Sequence, residues 1–220
     1  MIVPTSRLWP HGAPTWSPLP DQNGHYTIVY ADRASGQTPS DLFASSATCG
    51  APNRVQLTDT PTSVEAWPSW SPDGSLLAAC VAPVQSDCDI HTFDVVSGTS
   101  GGLALAFRAN LTAGGPLANN VYGPSWTADG TELLVSGASD LRMISALTPG
   151  VATRLTDTPG VLERRPTWSP DRTRIAFDAE GNLYTADISR DTSQAWTLSE
   201  AVLLRDFRNS AGHPSWRTVQ

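Results

Sequence analysis

Apolar residues in this chain come in short runs separated by turn-forming residues. Tyr26–Ala31, Ser75–Ala82, Glu132–Ala138 and Arg174–Ala179 are apolar or alternate apolar with polar over six to eight positions. That length and period suit strands and are too short for helices. A second set, Asp41–Ala47, Asp89–Val95, Asp140–Leu147 and Asn182–Ile188, opens each time on Asp or Asn. A third set closes each unit: Arg54–Pro61, Leu103–Thr112, Arg154–Pro159 and Ala201–Phe207. Ahead of each unit stands one short phrase: PTWSP at Pro14, PSWSPDG at Pro68, PSWTADG at Pro124 and RPTWSPD at Arg165, with PSWR following at Pro214.

The phrase has a physical reading at every position. Proline cannot donate to a ladder, so Pro14, Pro68, Pro124, Pro166 and Pro214 mark the first residue of a strand. Tryptophan follows two positions later and has about 150–250 Å² to bury. Trp16, Trp70, Trp126, Trp168 and Trp216 are therefore expected as anchors between neighbouring sheets. Ser-Pro-Asp-Gly then closes a tight turn, with Pro setting φ and Gly taking the positive angle. Four short antiparallel strands per unit of about 40–55 residues is the pattern of a β-propeller blade. A single blade cannot cover both its faces, so successive blades must pack around a ring.

The expected fold is all-β: one propeller domain over residues 1–220, with four full blades at about 14–60, 68–112, 124–158 and 166–207. Fragments of a fifth are expected at 2–8 and 213–219. The repeated PxWSPDG, the following apolar strand and the closing R-x-L-T resemble the WD-like repeat of TolB-type propellers, over nearly the whole chain from Arg7 to Arg217. Propellers of that kind usually have six or more blades, so the resemblance also raises the alternative of a partial ring that self-associates through its incomplete blades.

Composition narrows the function. The formal charge of −7 and the absence of lysine argue against a nucleic-acid partner, which is held by clustered basic residues. No apolar run approaches the roughly 20 residues of a membrane-spanning helix. Of three cysteines, Cys80 and Cys88 flank a turn-like segment at hairpin spacing and form a candidate disulfide, leaving Cys49 over. Gly98-Thr99-Ser100-Gly101-Gly102 matches a nucleophile elbow, but it lies between two strand-like segments where the elbow needs a strand and then a helix. His11, His25, His91 and His213 lack metal-ligand spacing, and no cofactor is expected. Asp59 and Asp157, in the two LTDTP copies, read as loop caps.

Loops leading into the phrase vary where packing does not require it. These loops would gather at one mouth of the channel, and they offer His11, Glu65, Trp67, Asn120, Tyr122, Glu163, Arg164, Arg165 and His213 as binding candidates. The resemblance implies a non-enzymatic binding or scaffold module of a periplasmic or extracellular bacterial protein, with a protein or peptide partner. Its alternative is the propeller part of a larger prolyl-oligopeptidase-like serine hydrolase, inert by itself.

Overall fold

A computed structural model describes residues 14–33, 39–47, 54–83, 88–98, 102–115, 117 and 121–205. Among these, every regular element is a strand, and the strands form four antiparallel sheets in chain order. Blade 1 holds β1 (Thr15–Trp16), β2 (Thr27–Arg33), β3 (Ser40–Ser46) and β4 (Val55–Gln56). Blade 2 holds β5 (Ser63–Trp70), β6 (Leu76–Pro83), β7 (Asp89–Ser97) and β8 (Leu103–Asn110). Blade 3 comprises β9 (Val121–Trp126), β10 (Glu132–Gly137), β11 (Asp140–Ser145) and β12 (Ala152–Arg154). Blade 4 comprises β13 (Glu163–Trp168), β14 (Arg174–Ala179), β15 (Asn182–Arg190), β16 (Trp196–Leu198) and β17 (Val202–Arg205). The first strands β1, β5, β9 and β13 touch in succession and so line the inside of the ring. The expected end fragments at 2–8 and 213–219, with Trp216 and Cys49, lie outside the described residues.

The turn chemistry repeats atom for atom. Ser71 Oγ donates to Asp73 at 2.7 Å and accepts from Leu76 N at 2.9 Å; Thr127 with Asp129 and Ser169 with Asp171 do the same. Each aspartate also accepts from the backbone N–H two residues on. The Ser71 hydroxyl, then the Ser75 groups, hold the Asp73 carboxyl below its ordinary value. The turn is thus a closed hydrogen-bond ring that starts the second strand.

Three apolar layers lie between the blades. Val29, Leu42 and Ala44 meet Leu77, Ala79 and Phe93 between blades 1 and 2. Ala78, Cys80 and Ile90 meet Val121, Trp126 and Leu133 between blades 2 and 3. Leu134, Leu141 and Met143 meet Trp168, Ile175 and Phe177 between blades 3 and 4. Two tryptophans bridge their layers by hydrogen bonds as well: the Trp126 indole donates to Ser69 O at 2.9 Å and Trp168 to Ser125 O at 3.3 Å. Each acceptor is the residue just before the preceding blade's tryptophan. Trp70 packs in its layer without this bond, and its buried indole nitrogen has no partner among the described residues.

Trp16 departs from the anchor role: it is 57% exposed. Each tryptophan leans on the blade before it, and among the described residues no blade precedes β1 to receive the indole. Trp196, which lies outside the repeated phrase, does join a layer. It packs on Trp168 at 5.6 Å, donates to Glu132 at 2.9 Å, and lies under the Arg190 guanidinium, which also pairs with Glu132. Blade 4 differs from expectation at its edge too. Its fourth position is split between β16, paired with the end of β15, and β17, paired with its start.

Cys80 and Cys88 form a disulfide, with Cα atoms 5.5 Å apart. It clamps the end of β6 to the approach of β7 inside the layer between blades 2 and 3. Closing so short a loop stabilises by about 2–3 kcal/mol on chain entropy. Replacing both cysteines by serine should lower the urea-unfolding free energy by about that amount, and a reductant should do the same to the parent protein.

Candidate functional site

The inner strands carry one feature that neither the phrase nor period-2 alternation announces. Three positions before the tryptophan, Trp67, Gly123 and Arg165 have φ of 49°, 61° and 54°. At each the ladder to the second strand slips by one residue. These are β-bulges in equivalent places on three successive inner strands, each immediately before the strand's proline. In blade 3 the residue is glycine, as a left-handed backbone prefers. A Cβ on Gly123 would meet Arg165 Cα only at 3.6 Å, so the angle rather than crowding selects glycine. Trp67 and Arg165 hold the same angle with a full side chain, which costs about 1–2 kcal/mol each.

The bulge residues adjoin one another across the blades. The Trp67 ring meets Tyr122 edge-on, with centroids 5.6 Å apart and an angle of 89°. Gly123 follows Tyr122 and abuts Arg165. The Arg165 guanidinium donates to Asp178 Oδ1 at 3.0 Å, and Asp178, on β14, is buried. An aromatic pair, a bare stretch of backbone and a guanidinium with its carboxylate thus follow one another along the inner wall.

Of the expected binding residues, this wall brings together Trp67, Tyr122 and Arg165. Arg164 is exposed on β13, opposite Asp178 in the ladder. His11, Asn120 and His213 lie outside the described residues.

Glu65 and Glu163 are not at the mouth: they are 1% and 3% exposed. The bulge is the physical reason. It adds a residue to the inner strand, so a glutamate five positions ahead of the tryptophan faces the same preceding blade as the tryptophan does. There Glu65 Oε2 accepts from Leu42 N at 3.1 Å and from the Thr58 hydroxyl. Glu163 Oε2 accepts from Leu141 N at 3.1 Å and from the Thr156 hydroxyl, while its Oε1 accepts from Thr158 at 3.1 Å. The LTDTP copies therefore act through their threonines. Asp59 is exposed, and Asp157 pairs with Arg154 at 2.6 Å. Between blades 2 and 3 the glutamate position is Val121 and the preceding segment reads NLTAG, so an apolar contact replaces the carboxylate there.

Burial, opposed by the Thr58 and Leu42 hydrogen bonds and aided by the nearby Asp41 charge, raises the Glu65 carboxyl to about 7. In the unfolded chain it titrates near 4.5. Between these values the folded protein holds a proton that the unfolded chain has released. Stability from this group is therefore complete below pH ~4.5 and lost as pH rises through ~7, by about 3 kcal/mol in all. Urea midpoints at pH 5 and pH 8 should differ accordingly, and Glu65→Gln should remove most of the difference.

The Gly98–Gly102 match joins β7 to β8, which pair antiparallel, and Gly98 N donates to Gly102 O at 2.6 Å. The match thus stands between two strands and not between the strand and helix that an elbow requires; Thr99, Ser100 and Gly101 lie outside the described residues. Among the described residues no three His, Cys, Asp or Glu side chains gather as metal ligands, and no helix is long and apolar enough to cross a membrane. A recess of about 510 Å³ lies away from the inner wall, on the outer part of blade 4 between Thr173, Asp187, Ser189, Thr197 and Ser199.

The architecture has solved counterparts. TolB from Acinetobacter baumannii superposes with a TM-score of 0.58 at 17% identity, covering 86% of this chain and 43% of that one. The chain is a β-propeller similar to TolB. A protein assigned as TolB from Agrobacterium tumefaciens gives 0.57 at 22% identity, covering 89% of this chain and 62% of that one. Prolyl oligopeptidase B from Galerina marginata gives 0.51 at 15% identity, covering 87% and 31% respectively. The propeller thus spans less than two thirds of the length of these chains, and at such identities the likeness is one of fold. No family profile and no curated protein sequence matches the chain.

Proposed function

We propose that this propeller is a non-enzymatic binding and scaffold module that holds a protein or peptide partner at the mouth formed by its inner strands. The carrying observation is the row of bulges. Trp67 and Arg165 keep a strained backbone angle that glycine would adopt freely, and the strain points an aromatic ring and a guanidinium at adjoining places on one wall. Bulges that re-aim side chains concentrate at binding sites. An aromatic face and an Arg–Asp pair suit an extended peptide, with one supplying apolar contact and the other polar register. The Cys80–Cys88 disulfide favours an oxidising compartment, the bacterial periplasm or beyond the cell.

A displayed library of random peptides, panned on the parent protein and on a Trp67→Ala, Arg165→Ala variant of matched folding, tests the reading. Peptides enriched on the parent should fail to bind the variant. Equal binding to both, or cleavage of the peptides by the parent, sinks it. A second reading, the propeller part of a larger prolyl-oligopeptidase-like serine hydrolase, is favoured by the likeness to the Galerina enzyme, of which this chain covers less than a third. An α/β-hydrolase pattern adjoining this sequence in its parent gene decides for that reading.

A further inference from the structure

The outer edges of the four blades are not alike. β4 has two residues and β12 three, and the edge of blade 4 is broken into pieces of three and four. Short or interrupted edges are how sheets avoid pairing with other chains. β8 has eight residues, Leu103–Asn110, its ladder to β7 regular over Leu103–Phe107 with a bulge at Arg108, and among the described residues it pairs only with β7. It also carries Phe107, 63% exposed, over a small aromatic cluster: His91 at 5.4 Å and Phe93 at 6.2 Å.

Ladder parity tells which backbone groups of β8 face outward. Val95 N donates to Ser75 O, so Val95 bonds on the β6 side, and its neighbours Asp94 and Val96 bond towards β8. Their partners there are Ala106 and Ala104. The N–H and C=O groups of Leu103, Leu105 and Phe107 are left pointing away from the sheet.

We infer that β8 is a homotypic interface, pairing antiparallel with β8 of a second copy about a two-fold axis at Leu105. Strand pairing of this kind is isologous, so the edge must complement itself, and this one does. About Leu105, the outward groups of Leu103 meet those of Phe107 in the second copy, and Leu105 meets Leu105. Every side chain on that face is apolar, and on the other face Ala104 meets Ala106. Arg108, the one charge in β8, sits in the bulge just beyond Leu103–Phe107 and is already held by Asp94 of its own blade at 2.7 Å. No like charges face each other, so the acidic chain carries no local penalty along this edge. The interface uses a blade edge and is independent of how the ring closes. Its area is at the low end for specific complexes, about 1,200 Å² or less, so the dimer is weak and concentration-dependent.

Sedimentation velocity over a concentration series tests this. The mass should rise from 23.4 kDa towards twice that value. Phe107→Lys should hold it at the monomer with only a small loss of melting temperature, because the ring is mostly exposed and gives up just its edge contacts with His91 and Phe93. Leu105→Pro deletes an outward N–H from the ladder together with a half-buried side chain packed on the layer between blades 1 and 2, and should leave a folded but less stable monomer. On a Cys49→Ser background, Leu105→Cys should form an intermolecular disulfide on mild oxidation, since directly opposed hydrogen-bonded residues lie about 5.5 Å apart; Ala106→Cys, which meets Ala104, should not. A monomer at every concentration overturns the inference. So does a dimer that Phe107→Lys leaves intact, or equal cross-linking of the two cysteine variants.

Discussion

Glu163→Ala is expected to lower the unfolding free energy by about 3 kcal/mol. The side chain sits between blades 3 and 4 and accepts from three donors, Leu141 N and the hydroxyls of Thr156 and Thr158. Removing it takes the acceptor from the part-buried Thr156 and Thr158 hydroxyls, each about 1–3 kcal/mol if left unpaired, while the Leu141 N–H keeps the Thr156 oxygen at 2.9 Å. Glu163→Gln keeps an acceptor oxygen for Leu141 and Thr156 and should cost about 1 kcal/mol. Glu163 and Thr156 are also alternative acceptors for Leu141 N, so only Glu163→Ala combined with Thr156→Val strands that buried N–H, and the pair should cost at least the sum of the two changes. Val121→Glu makes the opposite error. It places a carboxylate in the apolar layer between blades 2 and 3, where no paired threonines wait, and should cost at least as much. Urea unfolding of these five variants, Thr156→Val alone included, measures all of this. A loss under 1 kcal/mol for Glu163→Ala would mean that the carboxylate is not what joins these blades.

The same pairing shows what the sequence could and could not reveal. Turns and the strands after them were legible because Ser-Pro-Asp-Gly and short apolar runs act locally, but Pro68, Pro124 and Pro166, expected to open their strands, lie inside β5, β9 and β13 directly after the bulge. The layers were legible where period-2 alternation holds, as for Trp126 and Trp168. Glu65 and Glu163 were misread as mouth residues because one inserted residue at Trp67 or Arg165 reverses the face of everything before it. Two of the three bulges lack the glycine that would have flagged them. A subtler signal was present. Glutamate five positions before the tryptophan accompanies a preceding LTDTP in two units, and valine accompanies NLTAG in the third; such covariation within one chain marks a contact between units. Asp178 as the partner of Arg165, and Trp196 as a buttress of Trp168, depend on pairings between strands that no local pattern encodes. The length of β8 was visible in its apolar run, but its freedom at the edge required the sheet.

The tryptophan ladder yields the sharpest contrast between equivalent positions. Trp126→Ala should cost about 3–5 kcal/mol, the range for deleting a large buried aromatic. The ring is 3% exposed, packs against Ala78, Ile90 and Leu133, and its indole N–H satisfies the Ser69 carbonyl of the neighbouring blade. Trp126→Phe separates the two contributions: it keeps most of the apolar volume and loses the hydrogen bond, so it should fall well short of the alanine cost. Trp16→Ala, at the same place in its own unit, should cost under about 1 kcal/mol, because the ring is 57% exposed. Sequence alone ranks these residues as equals; packing makes one a joint between two sheets and leaves the other on a surface. Matching losses for Trp126→Ala and Trp16→Ala, read from the same unfolding experiment, would show that the indoles stabilise their own turns rather than the seams between blades. The three interblade layers would then have to hold on aliphatic contacts alone.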